Sequence, residues 1–147
     1  MINVKIKALR DGVQLPAYAT EGSAAVDLRY SGDKPLEIAP GERTLVPTGI
    51  AIAPETKDVA AILCARSGLA SKRGLTLSNG IGVIDSDYRG EICAAMINLG
   101  TETIVLDPGE RVAQLMFIPV LTANLIPVDE LDKTTRGAGG FGSTGTK

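Results

Sequence analysis

The apolar residues of this chain recur at every second position in short runs, and almost nowhere at helical spacing. Val4 and Ile6 alternate with Lys5 and Lys7, Val26, Leu28 and Tyr30 with Asp27 and Arg29, and Leu36 and Ile38 flank Glu37. Ile50 and Ile52 follow a Thr48-Gly49 turn. Successive side chains of a strand point to opposite faces, so this period describes short half-buried strands. Between the runs stand turn signals such as Ser31-Gly32-Asp33, Pro40-Gly41 and Asp107-Pro108-Gly109. Only residues 68–73 and 129–133 offer short helical candidates. Many short strands, punctuated by 17 Gly and 8 Pro, predict an all-β sandwich, jelly roll or barrel.

A length of 147 residues suits one domain with a core of its own. The net charge of −2 argues against a protein that holds duplex nucleic acid by its phosphates. There is no His, which excludes Ser-His-Asp and Cys-His catalysis and every His-ligated metal. The two cysteines, Cys64 and Cys93, lie in apolar stretches far from CxxC spacing and predict buried free thiols of a reducing compartment. No apolar run is long enough to span a bilayer, and the N-terminus lacks the layout of a secretory signal. The expectation is a cytoplasmic protein with no membrane and no nucleic-acid partner.

Two segments depart from the half-buried pattern. Val59-Ala-Ala-Ile-Leu-Cys-Ala65 and Ile92-Cys-Ala-Ala-Met-Ile97 are apolar on both faces and must be covered on both. In a small β domain the second cover is either a neighbouring subunit, which is the expectation adopted, or the centre of a two-layer sandwich. Residues 137–147 contain five glycines around one aromatic, Phe141, with Arg136 at the hinge. Glycine loses the most entropy on ordering, so a mobile arm over 136–147 is expected to follow a domain over 1–135.

Several formal motif matches fail on context. Gly137, Gly139 and Gly142 spell GxGxxG, but no strand precedes them and no room for a helix follows. No GK[ST] occurs. Residues 85–90 open like an EF-hand loop, yet Arg89 and Met96 stand where ligands belong. Ser31 to Lys34 matches SxxK only as letters, in a turn before Pro35.

Five polar clusters survive. Asp27 sits in a strand. Arg66-Ser67-Gly68 follows an apolar strand, where a guanidinium, a hydroxyl and a glycine amide can converge on phosphate. Asn79-Gly80-Ile-Gly82-Val83-Ile84 leads into Asp85-Ser-Asp87-Tyr88-Arg89-Gly90 and reads as a β-hairpin with an acidic turn. Gly109-Glu110-Arg111 precedes Gln114 in an apolar strand, and the glycine-rich arm closes the chain. Taken singly each is better explained as ordinary surface or packing; jointly they suit a phosphorylated, metal-bearing ligand. Two of the five aromatics, Tyr88 and Phe141, lie inside these clusters and offer surfaces for a sugar and a base.

In this order the clusters resemble the five motifs of the trimeric deoxyuridine triphosphatases (dUTPases). The resemblance runs from Ser23-Ala-Ala-Val-Asp-Leu-Arg29 through Arg66-Ser-Gly-Leu69, the 79–90 segment and Gly109-Glu-Arg-Val-Ala-Gln-Leu115 to Arg136-Gly-Ala-Gly-Gly-Phe-Gly-Ser-Thr-Gly145. One departure is Ala65, where the family usually has Pro. The resemblance implies a jelly-roll-like β-barrel, a homotrimer with shared active sites, and Mg2+-dependent hydrolysis of dUTP to dUMP and pyrophosphate. Such an activity keeps uracil out of DNA and supplies dUMP for dTMP synthesis.

Carried over by motif, Asp85 would position and deprotonate the water that attacks the α-phosphorus, and Gln114 would help hold that water or an α-phosphate oxygen. Asp27 would act on Mg2+ through water. Arg66, Ser67 and Gly68 would orient the phosphates. Asn79 and the backbone of Gly82, Val83 and Ile84 would read uracil, while Tyr88 under the sugar would exclude a 2′-OH. Arg136, Phe141, Gly142, Ser143 and Thr144 would close over the nucleotide, with Phe141 on the base. Two rivals are a dCTP deaminase or bifunctional deaminase-dUTPase of the same fold, and a non-catalytic nucleotide-binding module. The plain Arg-Ser-Gly motif and the complete arm favour the hydrolase over the first; retention of Asp85 and of the arm favours it over the second.

Overall fold

A computed structural model describes residues 1–140; Phe141, Gly142, Ser143 and Thr144 lie outside the described residues. Within it are eleven strands: β1 (Val4–Ala8), β2 (Val26–Arg29), β3 (Leu36–Ile38), β4 (Arg43–Pro47), β5 (Ile50–Pro54), β6 (Val59–Ala65), β7 (Leu75–Leu77), β8 (Gly82–Ile84), β9 (Cys93–Asn98), β10 (Ile104–Leu106) and β11 (Arg111–Pro119). One helix, α1 (Ser67–Arg73), follows β6. Every run with a period of two became a strand, and the 68–73 candidate became α1. The second helical candidate, residues 129–133, forms no helix. Five residues make too few helical hydrogen bonds to offset nucleation, and Leu131, 87% exposed, has no core to pack on.

The strands form four antiparallel sheets: β2-β11-β6-β8, β4-β9-β7, and the ribbons β1-β5 and β3-β10. Among the described residues they do not close into a barrel, which corrects the barrel expectation. The three-residue strands β3, β7, β8 and β10 present too few free donors and acceptors to carry pairing onward around a ring. The core lies between the sheets. Leu28, Leu63 and Leu115 from the four-stranded sheet pack with Val46, Leu75, Ala94 and Met96 from the three-stranded one.

Burial separates the two doubly apolar segments. Val59 to Leu63 of β6 are buried within the single chain, which fits the centre of a sandwich. β9 alternates instead, with Ala94, Met96 and Asn98 buried and Cys93, Ala95 and Ile97 half-buried. Only β9 keeps an apolar face that the chain leaves partly open. β1 forms on its predicted residues and pairs with β5, yet Ile6 is exposed: β5 carries this ribbon's buried residues, Ile50 and Ile52, into the core, and β1 lies at its outer edge.

Asn98 is the one fully buried amide among the described residues and ties three segments together. Its Nδ2 donates to the carbonyls of Ile38 (2.9 Å) and Glu102 (2.8 Å), and its Oδ1 accepts from the Gly100 amide at 2.9 Å. Asn98→Ala deprives two carbonyls and an amide of that partner. It is expected to lower stability by at least about 2 kcal/mol, read as a shift of the denaturation midpoint at unchanged m. A shift under about 0.5 kcal/mol, the size of an ordinary surface change, would remove Asn98 from this role.

Candidate active site

Strand pairing, rather than proximity in sequence, assembles the first cluster. On β11, Gln114 lies in register with Asp27 on β2 and with Cys64 on β6, so three strands place these side chains in one row. The neighbouring row, Val26, Leu115 and Leu63, points the other way into the core. β6 ends at Ala65, and Arg66 is the N-cap of α1, whose first turn holds Ser67 and Gly68. Asp27, Cys64, Arg66, Ser67, Gly68 and Gln114 therefore line one open cavity of about 450 Å³, walled further by Ser23 and Met116. Residues from the first, second and fourth motifs meet here.

The Asp27 carboxylate is shared between two guanidiniums. Arg66 Nε donates to its Oδ1 at 2.9 Å and Arg111 Nη1 to its Oδ2 at 3.1 Å. Gln114 Nε2 donates to the Ala65 carbonyl at 3.0 Å, tying β11 to the turn into α1. A Cβ at Gly68 would meet nothing within 4 Å, so the glycine leaves its wall open to a ligand rather than to protein packing. Sequence reasoning missed Arg111. A basic residue at the start of a strand reads as solvated, and only its place beside Glu110 in the fourth motif marked it.

A metal would find a restricted donor set here. Among the described residues no group of three or more His, Cys, Asp or Glu side chains could hold an ion. Asp27 faces the cavity as a single carboxylate. A hard cation that keeps its waters and takes phosphate oxygens as ligands fits this arrangement, whereas one requiring a protein cage does not.

The third motif lies elsewhere. The 79–90 segment is not a hairpin: β8 pairs with β6, Ala61 opposite Ile84 and Leu63 opposite Gly82, and β7 pairs with β9 in the other sheet. Both neighbours of β8 in sequence, β7 and β9, pair with each other in the other sheet. A Cβ at Gly82 would sit 3.1 Å from Leu63 Cβ, so glycine lets β8 approach. Asn79, Gly82, Val83, Ile84, Asp85 and Tyr88 line a second cavity of about 460 Å³, together with Leu45, Leu63, Glu91, Cys93 and Ala95. Asp85 and Tyr88 are exposed, and the Tyr88 amide donates to the Asp85 carbonyl at 3.1 Å. The Cys93 thiol is pushed above its ordinary range by burial first and by the Glu91 carboxylate second, with the Arg10 guanidinium opposing.

The two cavities share no lining residue. Leu63 belongs to one and Cys64 to the other, and adjacent residues of a strand point to opposite faces. Within one chain the phosphate-suited wall and the Asp85 wall thus lie apart. Arg136, from the fifth motif, lines neither cavity; its Nε turns back to the Gly139 carbonyl at 2.8 Å.

The family profile described as dUTPase matches residues 11–145. The chain belongs to the dUTPase family. Among curated relatives of this family, the deoxyuridine 5'-triphosphate nucleotidohydrolase of Desulfitobacterium hafniense (strain DSM 10664 / DCB-2) is 53% identical over 146 residues, covering 98% of this chain and 97% of the relative. That of Hahella chejuensis is 48% identical over 147 residues, covering 100% and 97%. In fold, the chain is similar to a Staphylococcus bacteriophage 80alpha dUTPase described with dUpNHpp, with a TM-score of 0.88 at 23% identity, covering 98% of this chain and 99% of that one. A point variant of the dUTPase of phage phi11 of S. aureus, described with a structural Mg(II) ion, has a TM-score of 0.80 at 20% identity, covering 89% and 99%. The expectation of a dUTPase, a hydrolase of nucleotide metabolism, is borne out.

Proposed function

We propose that this chain hydrolyses dUTP to dUMP and pyrophosphate, at a site completed only when copies of the chain assemble as a homotrimer. What carries the reading is the convergence of Asp27, Arg66, Ser67, Gly68 and Gln114, from three separated motifs, on one cavity wall. Arg66 and Ser67 meet phosphate oxygens there with a fixed cation and a hydroxyl. Gln114 is anchored through Ala65 and faces the same space. Asp85 takes a proton from water as that oxygen attacks the α-phosphorus; the bond from α-phosphorus to the bridging oxygen breaks, and pyrophosphate leaves with the electron pair. A carboxylate is a modest base, so holding the water in line supplies much of the acceleration. Asp27 would hold Mg2+ through water beside the substrate phosphates, and the ion would supply neutralisation of phosphate charge.

The split of the motif residues between two separate cavities supports a site shared between chains. So does uncovered apolar surface: Leu45 and Leu99 are each 67% exposed, and Leu121, Leu125, Ile126, Val128 and Leu131 stand on an exposed segment. Large apolar side chains left this open are what an interface with another chain would cover. A jelly-roll domain over 1–135, an arm over 136–147 that closes the site with Arg136, Phe141, Gly142, Ser143 and Thr144, and a cytoplasmic setting complete the proposal. No helix among the described residues is long and apolar enough to cross a membrane.

Uracil is read by Asn79 and the Gly82–Ile84 backbone, which present donors and acceptors that cytosine does not match. Rejection of the thymine methyl needs rigid backbone walls, because an apolar pocket alone discriminates one methyl by only about 1–3 kcal/mol. The test is pyrophosphate release over dUTP, dTTP, dCTP and UTP, with ammonia release measured alongside. Preference for dUTP with no ammonia is expected; ammonia from dCTP would make the chain a deaminase.

Tyr88→Ala opens the volume that a ribose 2′-OH needs. The ratio of UTP to dUTP turnover is expected to rise by about tenfold or more, the scale of a lost close contact in a specificity pocket, with the preference for uracil over cytosine retained. An unchanged ratio would make Tyr88 a packed turn residue.

A further inference from the structure

The Tyr88 ring is placed by its own turn. Its hydroxyl donates to the Glu91 carbonyl at 3.0 Å, and a Cβ at Gly90 would lie 2.6 Å from the ring carbon Cζ, so the ring rests over a position that only glycine leaves empty. The height of the ring therefore follows the backbone of residues 90 and 91. That backbone is held in turn by the Glu91 side chain, whose two oxygens bind different parts of the molecule. Oε1 accepts from the Gly49 amide at 2.6 Å, and Oε2 accepts from Arg10 Nη2 at 2.7 Å. Arg10 also donates to the hydroxyl of Ser31, and at 3.4 Å to its carbonyl. Beyond Glu91 the chain is stitched to the same region: the Ile92 amide donates to the Ile50 carbonyl at 2.8 Å, and Thr48 Oγ1 to the Ile92 carbonyl at 2.6 Å. On the other side of the ring, the hydrogen bonds of residues 85–89 among the described residues, the Tyr88 hydroxyl apart, stay within the segment: Tyr88 N to Asp85 O, and Arg89 to the Ser86 and Tyr88 carbonyls.

We infer that Glu91 is a specificity-determining positioning residue, which through its clamp on Gly49 and Arg10 fixes the Tyr88 ring at the height that excludes a ribose 2′-OH. This rests on the reading of Tyr88 as the sugar platform. The Glu91 side chain is only 22% exposed, so the clamp is partly shielded from water and competes well with solvent. Glu91 lines the same cavity, but both of its carboxylate oxygens are engaged by Gly49 and Arg10, so it acts through the backbone it holds.

The experiment measures kcat/KM for UTP and dUTP in the full-length protein and in Glu91→Ala, Tyr88→Ala and the double variant. Small misplacements of a positioned group carry large kinetic effects, and Glu91→Ala is expected to raise the UTP-to-dUTP ratio by about tenfold. In the Tyr88→Ala background the same substitution is expected to leave the ratio where Tyr88→Ala alone put it, since the group it positions is gone. If Glu91→Ala fails to fold, Glu91→Gln and Arg10→Met each remove the ion pair while an oxygen remains to accept from Gly49, and each is expected to raise the ratio by a smaller factor. A folded Glu91 variant that lowers thermal stability with the ratio unchanged, while Tyr88→Ala moves it, overturns the positioning role alone. A ratio unmoved by Tyr88→Ala overturns the sugar reading and the positioning role with it.

Discussion

Asp85→Asn is expected to leave a folded protein that still binds dUTP and turns it over at least about 10²-fold more slowly, the usual scale for a removed general base. Three carboxylates line the candidate cavities: Glu91 is tied to Gly49 and Arg10, and Asp27 and Asp85 differ in what already holds them. Asp27 is held by Arg66 and Arg111, with one guanidinium on each oxygen. Asp85 stands exposed just past β8, with its side chain in no hydrogen bond or ion pair among the described residues. A carboxylate with unoccupied oxygens at a cavity mouth can accept a hydrogen bond from water and hold it in line, whereas both oxygens of Asp27 are already engaged by arginines. The amide of Asn is nearly isosteric and takes no proton from water, and at an exposed position it disturbs no packing. Pyrophosphate release gives the rate, an imido analogue of dUTP gives binding, and a thermal melt reports the fold. Turnover near that of the unmodified protein would take the role of base away from Asp85.

Ending the chain after Thr135 is expected to leave thermal stability and assembly unchanged and to lower activity by at least about 10²-fold, as expected for loss of the groups that close and orient a substrate. Residues 121–138 are all exposed in the single chain, so the cut removes nothing buried there. It does remove Arg136, Phe141, Gly142, Ser143 and Thr144. If the arm serves a site on another copy, the truncated chain and the full-length Asp85→Asn chain fail for reasons that lie on different subunits. If the chain assembles as the proposed homotrimer, unfolding the two together and refolding them produces mixed trimers, some with an intact Asp85 under an intact arm. Activity in that mixture, absent from either protein refolded alone, is the expected result. Mixed trimers without activity would place each arm over its own subunit.

The alternation of Val26, Leu28 and Tyr30 around Asp27 and Arg29 was sufficient to read β2 from the sequence, because a strand buried on one face admits only one register of side chains. The same reading failed at residues 79–90. Asn79, Gly80 and Gly82 have the composition of a hairpin turn, yet β8 finds its partner in β6, some twenty residues away, because Ile84 and Leu63 gain more from the shared core than a local pair could offer. It failed at 129–133 as well, where the short apolar-polar pattern had no surface to pack on.

The candidate site divides along the same line. Motif order alone identified Asp27, Arg66, Ser67, Gly68, Asp85 and Gln114, since their chemistry is carried by residue type. Arg111 and Glu91 were invisible to that reading: a charged residue beside a turn looks solvated until its partner is known, and the partners Asp27 and Gly49 lie 84 and 42 positions away. Strand content, family and the available chemical groups followed from the order of residues alone. Which groups meet, on which face of β6, and which carboxylate is already occupied were decided by the tertiary structure. The reason is geometric: strand pairing joins distant positions, and a one-residue step along a strand turns a side chain to the opposite face.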